Sequence, residues 1–313
     1  MEPDKYQTAL TAAAAYPSNS VTMDPIPGLS PPPTAPGTRL GVVLRVGFFI
    51  LTVIVGLRLI TVSLYAVFGL VIAGTVGLCA TGLLANLLTM RIFDRRPFAD
   101  IGLRGGPGAL RNFGWGILLG GGAAALMLLA PLIAGTGHLV ARSGINSGWS
   151  SLLFYLVAIW LGAAGEEMIF RGYAFQLLIK KIGPFATILP VAVIFGFAHA
   201  SNPYSSGLGI LNTAIWGVLL GYAFLRSRDL WLPIGLHYGW NAVLPLFGVN
   251  LSGLTIDVTR YLYKWDLLPL WSGGKYGPEG GLLATIFTIA LFFALAKAPV
   301  WPQRAAIADN LNE

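Results

Sequence analysis

The sequence has little charge and almost no cysteine. Charged residues make up 11% of its 313 residues, where soluble proteins carry roughly 25%, and its mean hydropathy is +0.71. This scarcity of charge excludes a water-soluble enzyme. The single cysteine, Cys79, excludes an internal disulfide and a cysteine-based metal cluster. Although the net charge is +7, the basic residues are dispersed between apolar runs, which excludes a nucleic acid partner. The composition indicates an integral membrane protein in contact with lipid.

The first 38 residues differ from the rest of the chain. They are rich in Pro, Ala, Ser and Thr, and they lack the charged and then apolar start of a signal peptide. Such a composition cannot bury enough apolar surface to fold. We therefore predict that residues 1–38 form a disordered Pro/Ala-rich tail.

The remainder contains eight apolar runs, and crossing the bilayer takes about 20 apolar helical residues. The sequence thus predicts an all-α, polytopic bundle of seven or eight transmembrane helices. Arg58 lies near the junction of the first two runs, where no Gly or Pro separates them, so the first run could instead lie at the membrane interface. The runs are Val42 to Ile60, Tyr65 to Thr89, Phe113 to Ile133, Ser151 to Ile182, Phe185 to Ala200, Gly209 to Leu225, Leu230 to Gly248 and Leu282 to Ala298.

Basic residues predict the orientation of the bundle. The loop from Arg91 to Asn112 contains five arginines and should face the cytoplasm by the positive-inside rule. The later basic loops then fall on the same side, as does the N-terminal tail. Because the chain is also rich in Ala and Gly, we expect a protein of a bacterial plasma membrane.

Acidic and imidazole side chains inside the predicted spans mark a candidate site. Of the thirteen acidic residues, only Glu166 and Glu167 lie within a span, and so do the histidines His199 and His237. A charge at the bilayer centre costs about 2.5 to 3.5 kcal/mol on insertion scales. Such residues therefore indicate a functional site.

Helical spacing separates the roles of the two glutamates. Glu167 and Arg171 are four residues apart in the favourable acid-before-base order, so we expect them to form an ion pair. Glu166 lies about 100° around the helix and stays free of that pair. Similarly, His237 and Asn241 are four apart and share one helix face, and Phe195 lies one turn before His199.

These side chains suit hydrolysis by either of two routes, and the sequence leaves both open. In the first, Glu166, His199 and His237 bind Zn²⁺ with one position left for water, and Glu167 is the general base. In the second, no metal is used. Glu166 with His199 deprotonates water, while His237 and Asn241 donate hydrogen bonds to the developing oxyanion.

The three motifs occur in order in separate apolar runs: Glu-Glu-x-x-x-Arg from Glu166, Phe-x-x-x-His from Phe195 and His-x-x-x-Asn from His237. This pattern resembles the CPBP family, the CaaX-protease and bacteriocin-processing intramembrane proteases, also called Abi proteins. The family includes type II CaaX prenyl endopeptidases and lysostaphin-resistance-like proteins. The resemblance covers roughly Phe98 to Leu246. It implies a metalloprotease or a metal-free, glutamate-based protease, with Arg171 and Phe195 as auxiliary residues.

The resemblance implies an intramembrane endopeptidase acting on a leader peptide or a membrane protein. Two alternatives remain: a non-catalytic membrane scaffold or immunity protein, and a proton-coupled transporter in which buried Glu and His form a relay. The expected organisation of the chain is a tail (1–38), N-terminal membrane helices (39–97), the protease core (98–248), a loop (249–281), and a last helix with a short tail (282–313).

Overall fold

The fold is known from a computed structural model, which describes residues 38–144 and 148–308. Most of these residues are helical, and four helical segments among them are long and apolar enough to cross a membrane. The prediction of an all-α membrane bundle is therefore confirmed. The predicted disordered tail, except for its last residue, lies outside the described residues, as do residues 309–313.

The bounds of the elements follow the predicted apolar runs, except at the junction of the first two runs and within the fourth run. In chain order, the helices are α1 Arg39–Gly56, α2 Val62–Thr89, α3 Pro107–Ile133, α4 Trp149–Phe170, α5 Tyr173–Ile182, α6 Pro184–Ala198, α7 Gly207–Ser227, α8 Trp231–Leu246, α9 Pro269–Ser272 and α10 Leu282–Lys297. Single π-helical turns, Leu57–Thr61 and Met90–Asp94, follow α1 and α2. Three 3₁₀ turns are Phe98–Ile101, Gly274–Tyr276 and Pro278–Gly280.

Two short strands lie outside the helices, and the sequence did not predict them. Strand β1, Gly137–Ala141, pairs antiparallel with β2, Tyr261–Trp265, so that Gly137 lies opposite Trp265. His138 on β1 is half-exposed, and its Nε2 lies 2.6 Å from the carboxylate of Asp266. The pairing attaches the segment between α8 and α10 to the end of α3, so residues 249–281 are more ordered than a plain loop.

The first two apolar runs form a helical hairpin that reverses at Gly69. Gly69 has a φ of 78°, a backbone conformation that favours glycine, and it interrupts α2. Residues before Gly69 contact residues after it. A Cβ on Gly56 would lie 2.8 Å from Thr81, and Arg45 forms a 2.6 Å ion pair with Asp94. The two arms are therefore antiparallel.

The predicted boundary between these runs, at residues 60–65, is wrong. Arg58 lies inside the first arm, whose helix continues through a π-helical turn to residue 68. Each arm is longer than the roughly 20 helical residues needed to cross the bilayer. The prediction failed because it searched for a break next to a charge, whereas the reversal needs a residue that tolerates positive φ.

The fourth predicted run is also not one helix, because it breaks at Arg171 and Gly172 into α4 and α5. Asn86 of α2 hydrogen-bonds to backbone groups on both sides of this break. Its Oδ1 accepts from the backbone N–H of Tyr173, and its Nδ2 donates to the carbonyl of Met168. A backbone break at this depth is tolerated because protein groups satisfy it.

Close packing at glycines joins α3 to α8, the helix that carries His237. A Cβ on Gly116 would lie 2.7 Å from the backbone nitrogen of Leu236, and one on Gly120 would lie 2.1 Å from the Leu236 carbonyl oxygen. Small residues allow helix backbones to approach in this way. The spacing of four between the two glycines, visible in the sequence, thus positions α8 against α3.

Asp229 fixes the start of α8. It is buried in the turn after α7, where its carboxylate accepts hydrogen bonds from the backbone N–H of Leu232 at 3.1 Å and from Asn112 Nδ2 at 2.7 Å. Burial raises the pKa of the Asp229 carboxyl to about 6, although these hydrogen bonds lower it. The turn therefore contains a group that titrates just below neutral pH.

The Gly120 contact predicts the effect of one added methyl group. We expect Gly120→Ala to destabilise the protein by about 1 to 3 kcal/mol, because the methyl group meets backbone that cannot move aside. Gly122→Ala is the matched control, since no atom lies within 4 Å of a Cβ there. Thermal unfolding in detergent measures both variants. Equal melting temperatures would contradict the packing described above.

Asp229 predicts a pH dependence of stability. The folded protein binds the proton of Asp229 more tightly than the unfolded chain does. The contribution of this proton to the free energy of unfolding is therefore complete below pH about 4, and it is lost as the pH rises through about 6. The loss amounts to roughly 3 kcal/mol. Asp229→Asn removes the titration. We expect the melting temperature of the wild type, relative to this variant, to fall between pH 4 and 7; a constant difference would contradict the assignment.

Candidate active site

A cavity of about 820 Å³ lies within the bundle and contains the residues that the sequence singled out. Its wall is mostly apolar and comes from α1, α2 and α4 to α8, with further residues from the segment after α8. Glu166 of α4, His199 after α6, and His237 and Asn241 of α8 are among its lining residues. The structure thus brings together polar groups from three motifs that are far apart in the chain.

Glu167 and Arg171 lie behind the cavity wall and are completely buried. Glu167 Oε1 accepts hydrogen bonds from Arg171 Nη1 at 3.2 Å and from His237 Nδ1 at 2.9 Å. Arg171 Nη2 also donates to the carbonyl of Gly217 on α7 at 3.0 Å. The ion pair expected from the spacing of four is present, and it connects α4 with α7 and α8.

Phe195 contacts both the Arg171 guanidinium and the two imidazoles. Its ring lies under the Arg171 guanidinium, with the ring centroid 4.7 Å from Cζ, a cation–π arrangement. The same ring contacts the imidazole of His199, with centroids 5.0 Å apart, and that of His237 at 6.1 Å. Phe195 therefore sets the position of both imidazoles from one side.

Hydrogen bonds determine which imidazole nitrogens face the cavity. His199 Nδ1 lies 2.9 Å from the carbonyl oxygen of Phe195, which can only accept, so Nδ1 carries the hydrogen. His237 Nδ1 donates to the Glu167 carboxylate. In the neutral form of both imidazoles, Nε2 is then the unprotonated nitrogen. Each Nε2 lies 3.9 Å from Glu166 Oε2.

Glu166 completes the site. Its Oε2 atom is buried and has no hydrogen-bond partner within residues 38–144 and 148–308. The side chain as a whole is 18% exposed. One carboxylate oxygen and two nitrogen lone pairs therefore converge on one region of the cavity. Such a set of acceptors can hold a molecule that donates hydrogens, such as water, and can take a proton from it.

Two imidazoles and one carboxylate are also the donor types of a catalytic zinc site. However, ligands of a tetrahedral zinc ion at about 2.1 Å lie only roughly 3.4 Å apart. Both measured separations from Glu166 Oε2 are 3.9 Å, and no three His, Cys, Asp or Glu side chains in the described part of the chain are spaced to hold a metal ion. The spacing does not fit zinc, so we derive no step through a metal.

Asn241 lines the cavity one helical turn after His237. Tyr155 Oη of α4 donates to its backbone carbonyl at 2.8 Å, which fixes that turn of α8. Its carboxamide makes no hydrogen bond to the residues that the structure describes. The Nδ2 group is therefore available to a ligand in the cavity.

Sequence reasoning missed a second acidic residue in the cavity wall. Glu279 belongs to the segment predicted to be a loop (249–281), yet it lines the cavity with Ser252 and Asn202. Its carboxylate accepts a hydrogen bond from Trp240 Nε1 at 3.2 Å. No local pattern could have revealed this contact, because the two residues are joined only by the folding of the segment after α8.

The segment that carries the three motifs matches a known family. Residues 147–243 match the family model described as type II CAAX prenyl endopeptidase Rce1-like. This segment is just under a third of the chain and contains all three motifs. The match confirms the resemblance to the CAAX-protease family and supports, in general terms, a CAAX-type intramembrane protease. No curated protein and no solved structure matches the chain.

The wide spacing around Glu166 predicts a site that does not retain zinc. We expect purified protein to contain well below one zinc ion per chain by mass spectrometry, with no difference between the wild type and His199→Ala. If zinc were bound at one ion per chain and lost in His199→Ala, the metal-free assignment would be wrong.

Proposed function

We propose that the protein is an intramembrane endopeptidase that hydrolyses a peptide bond with water activated by Glu166 and His199. The observation that carries this proposal is the convergence of Glu166 Oε2 and the Nε2 atoms of His199 and His237 in a cavity inside a membrane bundle. The match of residues 147–243 to a protease family supports the same reaction class.

The reaction begins with a water molecule that donates hydrogen bonds to Glu166 and His199. Glu166 takes a proton from the water while the water oxygen forms a bond to the carbonyl carbon of the substrate. The tetrahedral intermediate collapses with cleavage of the carbon–nitrogen bond. Glu166 then gives its proton to the departing nitrogen, which leaves a carboxylic acid and an amine.

Charge develops on the carbonyl oxygen as the water attacks. Asn241 Nδ2 donates a hydrogen bond to this oxyanion. His237 can also donate from Nε2, but only when both of its nitrogens are protonated, because Nδ1 already donates its hydrogen to Glu167. The Glu167 carboxylate 2.9 Å away stabilises that imidazolium form.

Arg171 limits the electrostatic effect of the Glu167 carboxylate on Glu166. Glu166 and Glu167 are adjacent, and two like charges in a low-dielectric site oppose each other's ionisation. The buried guanidinium at 3.2 Å from Glu167 neutralises that charge. Glu166 is then the carboxylate available to act as the base.

The shape of the cavity supports a membrane-bound substrate. Leu70 and Val71 of α2 and Ile194 of α6 line the cavity and are 59%, 43% and 59% exposed. These residues give the cavity an accessible apolar margin. Such a margin suits a leader peptide or a membrane protein that enters from the bilayer, and by the positive-inside rule our proposal has the N-terminal tail on the cytoplasmic side of a bacterial plasma membrane.

Glu166→Gln tests the proposal, because the amide cannot accept the proton but keeps the size of the side chain. We expect loss of cleavage by about 10²- to 10⁴-fold, the usual contribution of a general base. New peptide termini in membranes and medium, compared by mass spectrometry between cells making the wild type and the variant, measure cleavage. Asp257→Asn, a change at an exposed ion pair with Arg142, is the control.

Termini that depend on the wild type and on the control variant, and that disappear with Glu166→Gln, would support the proposal and identify the substrate. Cleavage that survives Glu166→Gln would refute the role of Glu166. Termini that are the same with both chains and with cells that lack the protein would favour a non-catalytic scaffold.

A further inference from the structure

Glu279 lies in the 3₁₀ turn before α10, outside the segment that matches the protease family. Its two carboxylate oxygens bind two different elements. Oε1 accepts from Trp240 Nε1 at 3.2 Å, and Oε2 accepts from the backbone N–H and the hydroxyl of Ser252, at 2.5 and 2.8 Å. Glu279 therefore joins α8 to the turn that follows it.

The first connection leads to His237. Trp240 lies on α8 between His237 and Asn241 and is 1% exposed. Its ring packs against that of Trp216 on α7, with centroids 4.8 Å apart. Because Glu279 holds the indole nitrogen, it restricts rotation of α8 at the turn that presents His237 to Glu166.

The second connection leads to His199. The carbonyl of Ser252 accepts a hydrogen bond from Asn202 Nδ2 at 3.0 Å, and the backbone N–H of Asn202 donates to the carbonyl of His199 at 3.1 Å. His199 follows the last residue of α6, and its N–H still donates to the carbonyl of Gly196, but its own carbonyl lies beyond the helical hydrogen bonds and accepts from Asn202. The Ser252 turn therefore adds a restraint on His199 through Asn202.

The Ser252 turn is itself tightly fitted against this loop. Ser252 and Gly253 both have positive φ, 48° and 84°, and a Cβ on Gly253 would lie 2.0 Å from the carbonyl oxygen of Pro203. The non-glycine residue in this conformation carries strain, which the surrounding contacts must offset. Glu279 supplies two of those contacts, through the N–H and the hydroxyl of Ser252.

We propose that Glu279 is a positioning residue of the active site, one that keeps His199 and His237 facing Glu166 by holding Ser252 with one oxygen and Trp240 with the other. The proposal rests on the hydrolysis proposed above for its consequence, but the positioning itself can be measured without any substrate. Glutamine cannot replace the residue, because its amide nitrogen donates a hydrogen and one of the two connections must break.

The experiment uses the full-length protein in detergent with ¹⁵N-labelled histidine, which gives signals from only three imidazoles. We expect Glu279→Ala to shift the ring signals of both His199 and His237 and to leave those of His138 in place. Asp266→Asn is the matched control in the same segment. Asp266 pairs with His138, so this variant should shift His138 alone.

Two further variants separate the connections. Trp240→Phe keeps a ring but removes the indole donor, and it should shift His237 more than His199. Asn202→Ala removes the hydrogen bond to Ser252, and it should shift His199 more than His237. If Glu279→Ala left both histidines at their wild-type positions, or shifted them no more than Asp266→Asn does, the proposal would be overturned.

Cleavage is measured separately, as the yield of termini that depend on the wild type. Since displacement of reacting groups by about 1 Å can cost 10²-fold in rate, we expect a loss on the order of 10- to 100-fold for Glu279→Ala and none for Asp266→Asn. Altered histidine signals in a protein whose wild type cleaves nothing would refute the proposed hydrolysis and leave the positioning intact. Altered signals with full cleavage would refute the role of Glu279 in the reaction.

Discussion

The buried carboxylate of Glu167 is the constraint on which the site depends. A charge without access to water must be paired, and removing one partner of such a pair costs about 3 to 5 kcal/mol. Glu167 Oε1 accepts hydrogen bonds from Arg171, at the end of the same helix, and from His237 Nδ1 of α8. Because Nδ1 of His237 donates to Glu167, Nε2 is the nitrogen without a hydrogen in the neutral imidazole, and it faces Glu166. A structural ion pair thus sets the protonation of a residue that lines the cavity.

Other features of the bundle hold the helices that this arrangement joins. Gly116 and Gly120 allow α8 to approach α3 closely. At the break between α4 and α5, just beyond Arg171, Asn86 hydrogen-bonds to the backbone N–H of Tyr173. Arg171 itself donates to a carbonyl of α7. Asn86 and Arg171 thus satisfy backbone and charged groups that lipid could not satisfy. The polar site is consequently surrounded by helices whose positions do not depend on solvent.

The features that sequence reasoning predicted are those that depend on local spacing. Apolar run length located the helices, and the spacing of four between Glu167 and Arg171 predicted their ion pair. The features it could not predict depend on residues distant in the chain. Asn86 decides where α4 ends, Gly69 reverses a helix that hydropathy alone would continue, and Glu279 reaches Trp240 only after the segment following α8 has folded back.

The central claim is that both imidazoles present an unprotonated Nε2 to Glu166. The ¹⁵N chemical shifts of the histidine rings measure this directly, since protonated and unprotonated ring nitrogens resonate far apart. At pH 8 the account predicts that His199 and His237 both carry their hydrogen on Nδ1, and that Glu167→Gln alters His237 while His199 keeps its form. A neutral imidazole that carries its hydrogen on Nε2 instead of Nδ1, in either residue of the wild type, would contradict the account.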